Sequence, residues 1–450
     1  MVARCVRPAG SCLTFFTAPD FPLMQRASAT LLVTALSVMC GSALAQSVDK
    51  RKPITTASPG SAAPDKRSAA PSRAAARPAT KDGEAEARLI EIYKLAGQAR
   101  GREALVKAER LVNDHPNFQL AQLVYGDLLA ARSRPLRALG DVSDGTAKAG
   151  ASTLAELRQE SLMRLKALRE RPAPGTIPSQ FLALSPRNKH AIAVDASRAR
   201  LYLFENTATG LKLVSDYYIS VGKAGIEKSV EGDSRTPLGI YFVTSNLDPK
   251  SLKDFYGSGA LPINYPNALD LKRGKTGSGI WLHGTPPAQF SRAPQASDGC
   301  VVLANPDLER IIRTVEVRTT PVVIAQSLKW VAPHSIKADG KSFEEALNSW
   351  HQAKSVGDLA TLNSLYSSDF SSYGKTRDDW TALLRTEADK RRGRTVQLKD
   401  VSYLRWTDST DTMVVTFGEV LSGSRTGPVR RQYWMRQGKQ WKIFFEGVIG

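Results

Sequence analysis

The chain reads as a multidomain protein with three folded parts: an N-terminal α-helical region, a central mostly-β domain and a C-terminal α+β domain. Three observations predict this. Apolar residues recur at helical spacing from residue 84 to about 171. Short β-rich apolar runs take over between about 190 and 324. Beyond 341, a helical stretch is followed by four strand-like runs. With 450 residues, the chain has room for several cores.

The first 45 residues read as an extension followed by a secretory signal. Arg26 supplies a positive start, an apolar run extends from Ala29 to about Cys40, and Ala43-Leu44-Ala45 gives a small-x-small cleavage pattern. Met24 fits the start of such a signal better than Met1. The run is shorter than the ~20 residues of a membrane span, so membrane attachment would be only through an uncleaved signal. Bulky Met39 before Cys40 argues against lipidation. The expected location is the periplasm. Residues 46–83 hold Pro53, Pro59, Pro64, Pro71 and Pro78 with almost no large apolar side chains, and read as a disordered linker.

Residues 84–175 form the helical part. Leu89, Ile92, Tyr93 and Leu95 make one stripe, and Ala104, Leu105, Ala108 and Leu111 a second. His115-Pro116 breaks the helix before Leu120 to Ala131, and a last helix runs from Leu154 to Arg169. Residues 188–326 form the β-rich domain. Its strands are expected at Ala191–Asp195, Arg200–Phe204, Lys212–Val221, Gly239–Val243, Gly279–His283 and Thr320–Ile324. Residues 327–340 read as a second linker. In 341–450, helices at Phe343–Ala353, Leu359–Tyr366 and Arg377–Arg391 precede strands near Val396–Tyr403, Thr412–Leu421, Val429–Met435 and Trp441–Phe445. The alternation of Met413, Val415 and Phe417 marks a sheet with one buried face.

The chemistry centres on Cys300. The other cysteines, Cys5, Cys12 and Cys40, precede the cleavage point, so the exported chain keeps one thiol and cannot build an internal disulfide. A lone cysteine is often a small buried hydrophobe. In Ser297-Asp298-Gly299-Cys300, with His283-Gly284-Thr285 upstream, it also fits a nucleophile and its base. Gly299 permits a sharp turn that would aim its own N–H and that of Cys300 at a developing oxyanion. Ser297 either bonds His283 or caps the turn. No histidine pair has metal-ligand spacing and one cysteine cannot build a zinc cage, so neither metal nor cofactor is expected. The 62 basic and 43 acidic residues give a net charge of +19. No nucleic-acid module accompanies this excess, so an anionic envelope surface is the expected partner.

These motifs resemble the YkuD-type L,D-transpeptidases. The likeness covers 188–326 through the opening hairpin Ile192–Asp195 and Leu201–Phe204, through Thr236-Pro237-Leu238-Gly239-Ile240-Tyr241, through His283-Gly284 and Ser297-x-Gly299-Cys300, and through Asn305. Leu261 to Ala268 is similar to the family's Gram-negative branch. The resemblance implies an exported enzyme acting on peptidoglycan stem peptides, with Cys300 as nucleophile and His283 as proton acceptor and donor. Passing the acyl group to another stem's amine would form 3-3 cross-links; passing it to water would make an L,D-carboxypeptidase. A non-catalytic wall-binding scaffold is the reading from another class. Asp298 and Val302 depart from the family, the latter from an arginine that would hold a substrate carboxylate. Arg235, Tyr265, Arg292 and Asn305 are the substrate-binding candidates, and Lys272 and Arg273 further cations that would compensate. Residues 341–450 resemble the cone-shaped nuclear-transport-factor-like fold, an architecture similar to cell-shape L,D-carboxypeptidases. Trp350, Tyr366, Phe370, Trp380, Tyr433 and Trp441 would line a pocket in the cone or form its core. Homodimerisation is left open.

Overall fold

A computed structural model describes residues 83–142 and 150–449, and the sequence features assigned to residues 1–82 lie outside the described residues. Helices α1 (Glu84–Gly97), α2 (Gly101–Asp114), α3 (Gln119–Ala130) and α4 (Ala151–Arg169) form the N-terminal region. The two expected stripes meet: Leu89, Ile92 and Leu95 pack with Ala104, Ala108 and Leu111 around Phe118, Leu120 and Val124. Phe290 and Ala304 of the β-rich domain join this core, so the helices are docked on that domain. A buried ionic cluster reinforces the contact. Glu86 accepts from Arg200 at 2.7 Å and pairs with Arg164 at 3.0 Å, while Arg164 also pairs with Glu160 at 2.6 Å. Burial opposes ionisation of Glu86, but Arg200 and Arg164 outweigh it and hold its pKa below the ordinary value.

After the short strands β1 (Ile177–Pro178) and β2 (Phe181–Ala183), the central domain supplies β3 (His190–Asp195), β4 (Arg200–Thr207), β5 (Gly210–Gly222), β6 (Gly239–Phe242) and β7 (Ala260–Pro262). The short helix α5 (Ala268–Lys272) precedes β8 (Trp281–His283), β9 (Gln295–Ser297) and β10 (Val301–Leu303); α6 (Asn305–Thr314) and β11 (Pro321–Ala325) complete the domain. Nine strands form one sheet in the order β6-β11-β3-β4-β5-β10-β8-β7, with β9 on β5. The thirteen-residue β5 pairs with β4 from Gly210 to Tyr218 and beyond that with β10 and β9. Alternate residues of β3 and β4 enter two cores. Ile192, Val194, Leu201 and Leu203 pack beneath α6, whereas Ala191, Ala193, Tyr202 and Phe204 face the C-terminal domain.

The C-terminal domain contains α7 (Pro333–Val356), α8 (Leu359–Leu365), the small hairpin β13 (Ser371–Ser372) and β14 (Lys375–Thr376), and α9 (Arg377–Arg391). Strands β15 (Val396–Thr407), β16 (Asp411–Leu421), β17 (Val429–Gln437) and β18 (Gln440–Val448) follow as an antiparallel meander. Three details depart from the sequence reading. The stretch 327–340 is not a free linker: β12 (Trp330–Val331) pairs with β1, and α7 begins at Pro333. Strand β2, from the chain before the central domain, adds to the edge of the C-terminal sheet beside β15. That sheet is buried on both faces rather than one: Met413, Val415 and Phe417 pack under the helices, while Leu404, Val414, Tyr433 and Phe444 pack against the central domain. Of the cone aromatics, Trp350, Tyr366, Phe370 and Trp441 are core, and Trp380 packs against it. Tyr433 instead lies on the face toward the central domain and lines a cavity of about 840 Å³ there, with Phe242, Asn264, Arg431 and Phe444. Neither Cys300 nor His283 lines that cavity, so the chemistry is sought elsewhere.

Candidate active site

Parallel pairing of β8 with β10 builds the site. Val301 pairs with Leu282 and Val302 with His283. Leu282, Val301 and Leu303 enter the core beneath the sheet. Side chains alternate along a strand, so His283 and Val302 lie on the opposite face, and Cys300, one residue before β10, extends that row. Residues 17 apart in sequence thus share one face of adjacent strands.

His283 is 1% exposed, and its Nδ1 lies 2.7 Å from the Gly284 carbonyl. A carbonyl only accepts, so Nδ1 carries the proton and Nε2 keeps its lone pair. Burial lowers the His283 pKa to about 4, with Arg292 adding to the effect and the bond to Gly284 opposing it. Asn305 fixes the segment that follows: its Oδ1 accepts from the amides of Thr285 (3.1 Å) and Ser258 (2.9 Å), and its Nδ2 donates to the Thr285 carbonyl (2.9 Å). A Cβ on Gly284 would collide with that same Oδ1, which explains the glycine. Asn305 therefore orients the His283-Gly284-Thr285 backbone and is not free to hold substrate.

Cys300 is half-buried, and its Sγ donates to the Gly279 carbonyl at 3.5 Å. Burial pushes the thiol up to about 11, against the lowering effect of the Trp281 amide, which bonds the sulfur. Gly299 adopts φ +122°, and a Cβ there would sit 2.7 Å from the Arg235 carbonyl, so the turn requires glycine. The Ser297 alternative resolves toward capping. Its Oγ donates to the Cys300 carbonyl at 2.6 Å and accepts from the Gly299 amide at 3.1 Å. The Gly299 N–H is thereby engaged, which corrects its expected role as an oxyanion donor. Thr236 ties the same turn to β5: its Oγ1 donates to the Gly299 carbonyl and accepts from the Gly222 amide, both at 2.9 Å.

The substrate-binding candidates separate clearly. Tyr265 is 5% exposed, donates to the Thr276 carbonyl at 3.0 Å and packs edge-on with Tyr241; it is core. The exposed Arg235 donates to the Ile226 carbonyl at 2.9 Å. Lys272 and Arg273 are paired with Asp369 and Asp408 of the C-terminal domain, so they do not compensate for Val302. Arg292 lies 4.6 Å over the Phe255 ring with no carboxylate partner among the described residues. Burial lowers its pKa, and its charge acts on both Cys300 and His283. The departure Asp298 is exposed and pairs with Lys223 at 2.7 Å. Phe255 and Tyr256, which no motif singled out, wall His283 at ring distances of 5.8 and 5.1 Å. Adjacent aromatics in a loop carry no period that would have revealed them.

Among the described residues, no cluster of His, Cys, Asp or Glu is arranged to hold a metal.

A family model of the YkuD L,D-transpeptidase catalytic domain matches residues 189–324, and one of the Cds6 C-terminal NTF2-like domain matches residues 342–447. Among solved structures, Bd1075 of Bdellovibrio bacteriovorus is 24% identical with a TM-score of 0.52, over 61% of this chain and 98% of that one. The helical cell shape determining protein Pgp2 from Campylobacter jejuni is 20% identical with a TM-score of 0.48, over 60% and 95%. No curated protein sequence matches the chain. Bd1075 shares the fold of the matched part of this chain. The chain thus carries a YkuD L,D-transpeptidase catalytic domain, with His283 and Cys300 inside the matched span, followed by an NTF2-like α+β domain.

Proposed function

We propose that the protein is an exported, cysteine-dependent acyltransferase of peptidoglycan stem peptides. The observation that carries this reading is the shared face of β8 and β10, which presents Cys300 beside a histidine whose Nε2 is left basic by the bond from Nδ1 to Gly284. Cys300 Sγ attacks the carbonyl of the diamino acid at stem position three as His283 Nε2 takes the thiol proton. The C–N bond breaks, and the same proton passes to the leaving D-Ala amine. A thioester remains until an acceptor attacks it; His283 Nε2 takes the acceptor's proton and returns it to the sulfur as the C–S bond breaks, which restores the thiol. The Cys300 amide is the nearest candidate for the oxyanion, since Gly299 N–H is occupied.

With an amine of a second stem as acceptor, the product is a 3-3 cross-link. One observation favours water instead. Lys223, Lys228, Lys272 and Arg273 are paired with acids and Arg235 is bonded to a carbonyl, whereas Arg292, whose charge acts on Cys300 and His283, has no acid partner among the described residues. One such cation suits one carboxylated peptide, the donor. Incubation with sacculi rich in tetrapeptide stems, followed by mass analysis, distinguishes the outcomes: cross-linked dimers, tripeptides with free D-Ala, or unchanged stems. Cys300→Ala is expected to form no product. Turnover by that variant would overturn the cysteine mechanism, and unchanged stems with the wild type would point to a non-catalytic scaffold. Binding of the basic chain to anionic wall would weaken as salt rises.

A further inference from the structure

The segment from Pro286 to Pro294 joins the His283 strand to the Cys300 turn, and the N-terminal helices grip it from outside. Phe290 is buried in the helical core, where its ring stacks on Phe118 at 4.2 Å. Its amide donates to the Asn117 carbonyl at 3.1 Å, and Asn117 Nδ2 donates to the Pro287 carbonyl at 3.0 Å. The next residue, Ser291, donates from Oγ to Glu160 at 2.7 Å. Glu160 is itself 2% exposed and paired with Arg164, which is 3% exposed. The Arg164 guanidinium lies 4.0 Å over the Tyr218 ring, and Tyr218 donates to the Arg292 carbonyl at 2.8 Å. The backbone on either side of the Ser291–Arg292 bond is therefore pinned, while the Arg292 guanidinium extends over Phe255 without an acid partner among the described residues.

Apolar packing through Phe118 and Phe290 would suffice to dock the helices. Glu160, already paired with Arg164, also holds the Ser291 hydroxyl, and it does so at the residue adjacent to Arg292, whose guanidinium has no acid partner among the described residues. Fixing the loop before substrate arrives removes ordering cost from binding. We propose that the helical region is a working part of the active site. Glu160, acting through Ser291, is a positioning residue that sets Arg292 to receive the terminal carboxylate of the donor stem. This rests on the cysteine acyltransferase reading above.

The test uses the full chain and soluble tetrapeptide stems whose terminal carboxylate is either free or amidated. Ser291→Ala raises KM for the free acid about 10-fold and leaves kcat nearly unchanged, while the loss of one buried hydrogen bond lowers the melting temperature by only a few degrees. It has little effect on the amide. Ser291→Thr, which keeps the hydroxyl, restores the wild-type KM. Because both changes act on one anchor, Ser291→Ala combined with Arg292→Gln is no worse than Arg292→Gln alone. Equal KM for Ser291→Ala and wild type, an equal loss on acid and amide, or additive losses in the double variant would overturn the proposal. With Cys300→Ala inactive, such a result sinks only the positioning role; an active Cys300→Ala sinks the reading beneath it as well.

Discussion

The burial of both reacting groups predicts how this site responds to pH. The Cys300 thiol is pushed up to about 11 and the His283 imidazole down to about 4. Between those values both groups are neutral, so the resting site holds thiol and imidazole rather than thiolate and imidazolium. At pH 7 the thiolate fraction is on the order of 10⁻⁴. Alkylation by iodoacetamide, which needs only the thiolate, should therefore rise about tenfold per pH unit from 6 to 10. Acyl transfer should behave differently, because His283 removes the proton as the carbonyl is attacked. Its rate depends on Nε2 being unprotonated, so kcat/KM should stay level through neutral pH and fall only as the medium approaches about pH 4. His283→Gln should leave the alkylation profile nearly unchanged while lowering acyl transfer by ~10²–10⁴-fold. An alkylation rate that is already flat between pH 5 and 8 would show a preformed ion pair, and an acid limb near the ordinary histidine value would show an exposed imidazole. Either result would refute the argument from burial.

Two further perturbations follow from the packing. Gly299→Ala forces a Cβ toward the Arg235 carbonyl in a backbone region that favours glycine, so it should cost about 1–3 kcal/mol in urea unfolding and slow acyl transfer by moving the sulfur. An equally stable, fully active variant would show that the turn adapts. Truncation after Lys329 removes Trp330, which packs at 4.9 Å from Tyr202 and 6.1 Å from Phe204, and Arg431, which lies 3.2 Å over Phe242. Uncovering three such aromatics costs about 1.5–3 kcal/mol each, comparable in sum with the whole stability of many domains. The truncated chain should therefore melt early or aggregate; a soluble, cooperatively folded product would show that the two domains are separable.

The parts of the site that were legible in the sequence are those fixed by local geometry. Gly299, Gly284 and Ser297 stand where the turn and the histidine segment leave little room for other residues, and a motif records such constraints. The substrate-binding candidates depended instead on what lay across the fold. Tyr265 is consumed by core packing. Lys272 and Arg273 meet Asp369 and Asp408, 97 and 135 residues further along the chain, and no local spacing announces either pair. Arg292 has the same chemistry as Arg273 but escapes pairing, and only the three-dimensional arrangement separates them.

The same distinction explains the treatment of 327–340 as a linker. Two- and three-residue strands such as β1, β2 and β12 have no measurable period, so the pairings that stitch the chain across the domain junction are silent in sequence. Yet part of the junction was written there. Ala191-Ile192-Ala193-Val194 is apolar without alternation, and such a run needs cover on both sides of its sheet. One side is closed by the core beneath α6, to which Ile192 and Val194 contribute. The other is closed by Leu404, Trp406, Val414 and Phe444 of the C-terminal sheet, whose own apolar residues alternate between this contact and the helices behind. Each sheet thus records its need for a second cover, and the two needs are met by each other. The NTF2-like domain is consequently part of the wall that holds β3 and β4 in place, and through β5 it supports the strand on which Cys300 is presented.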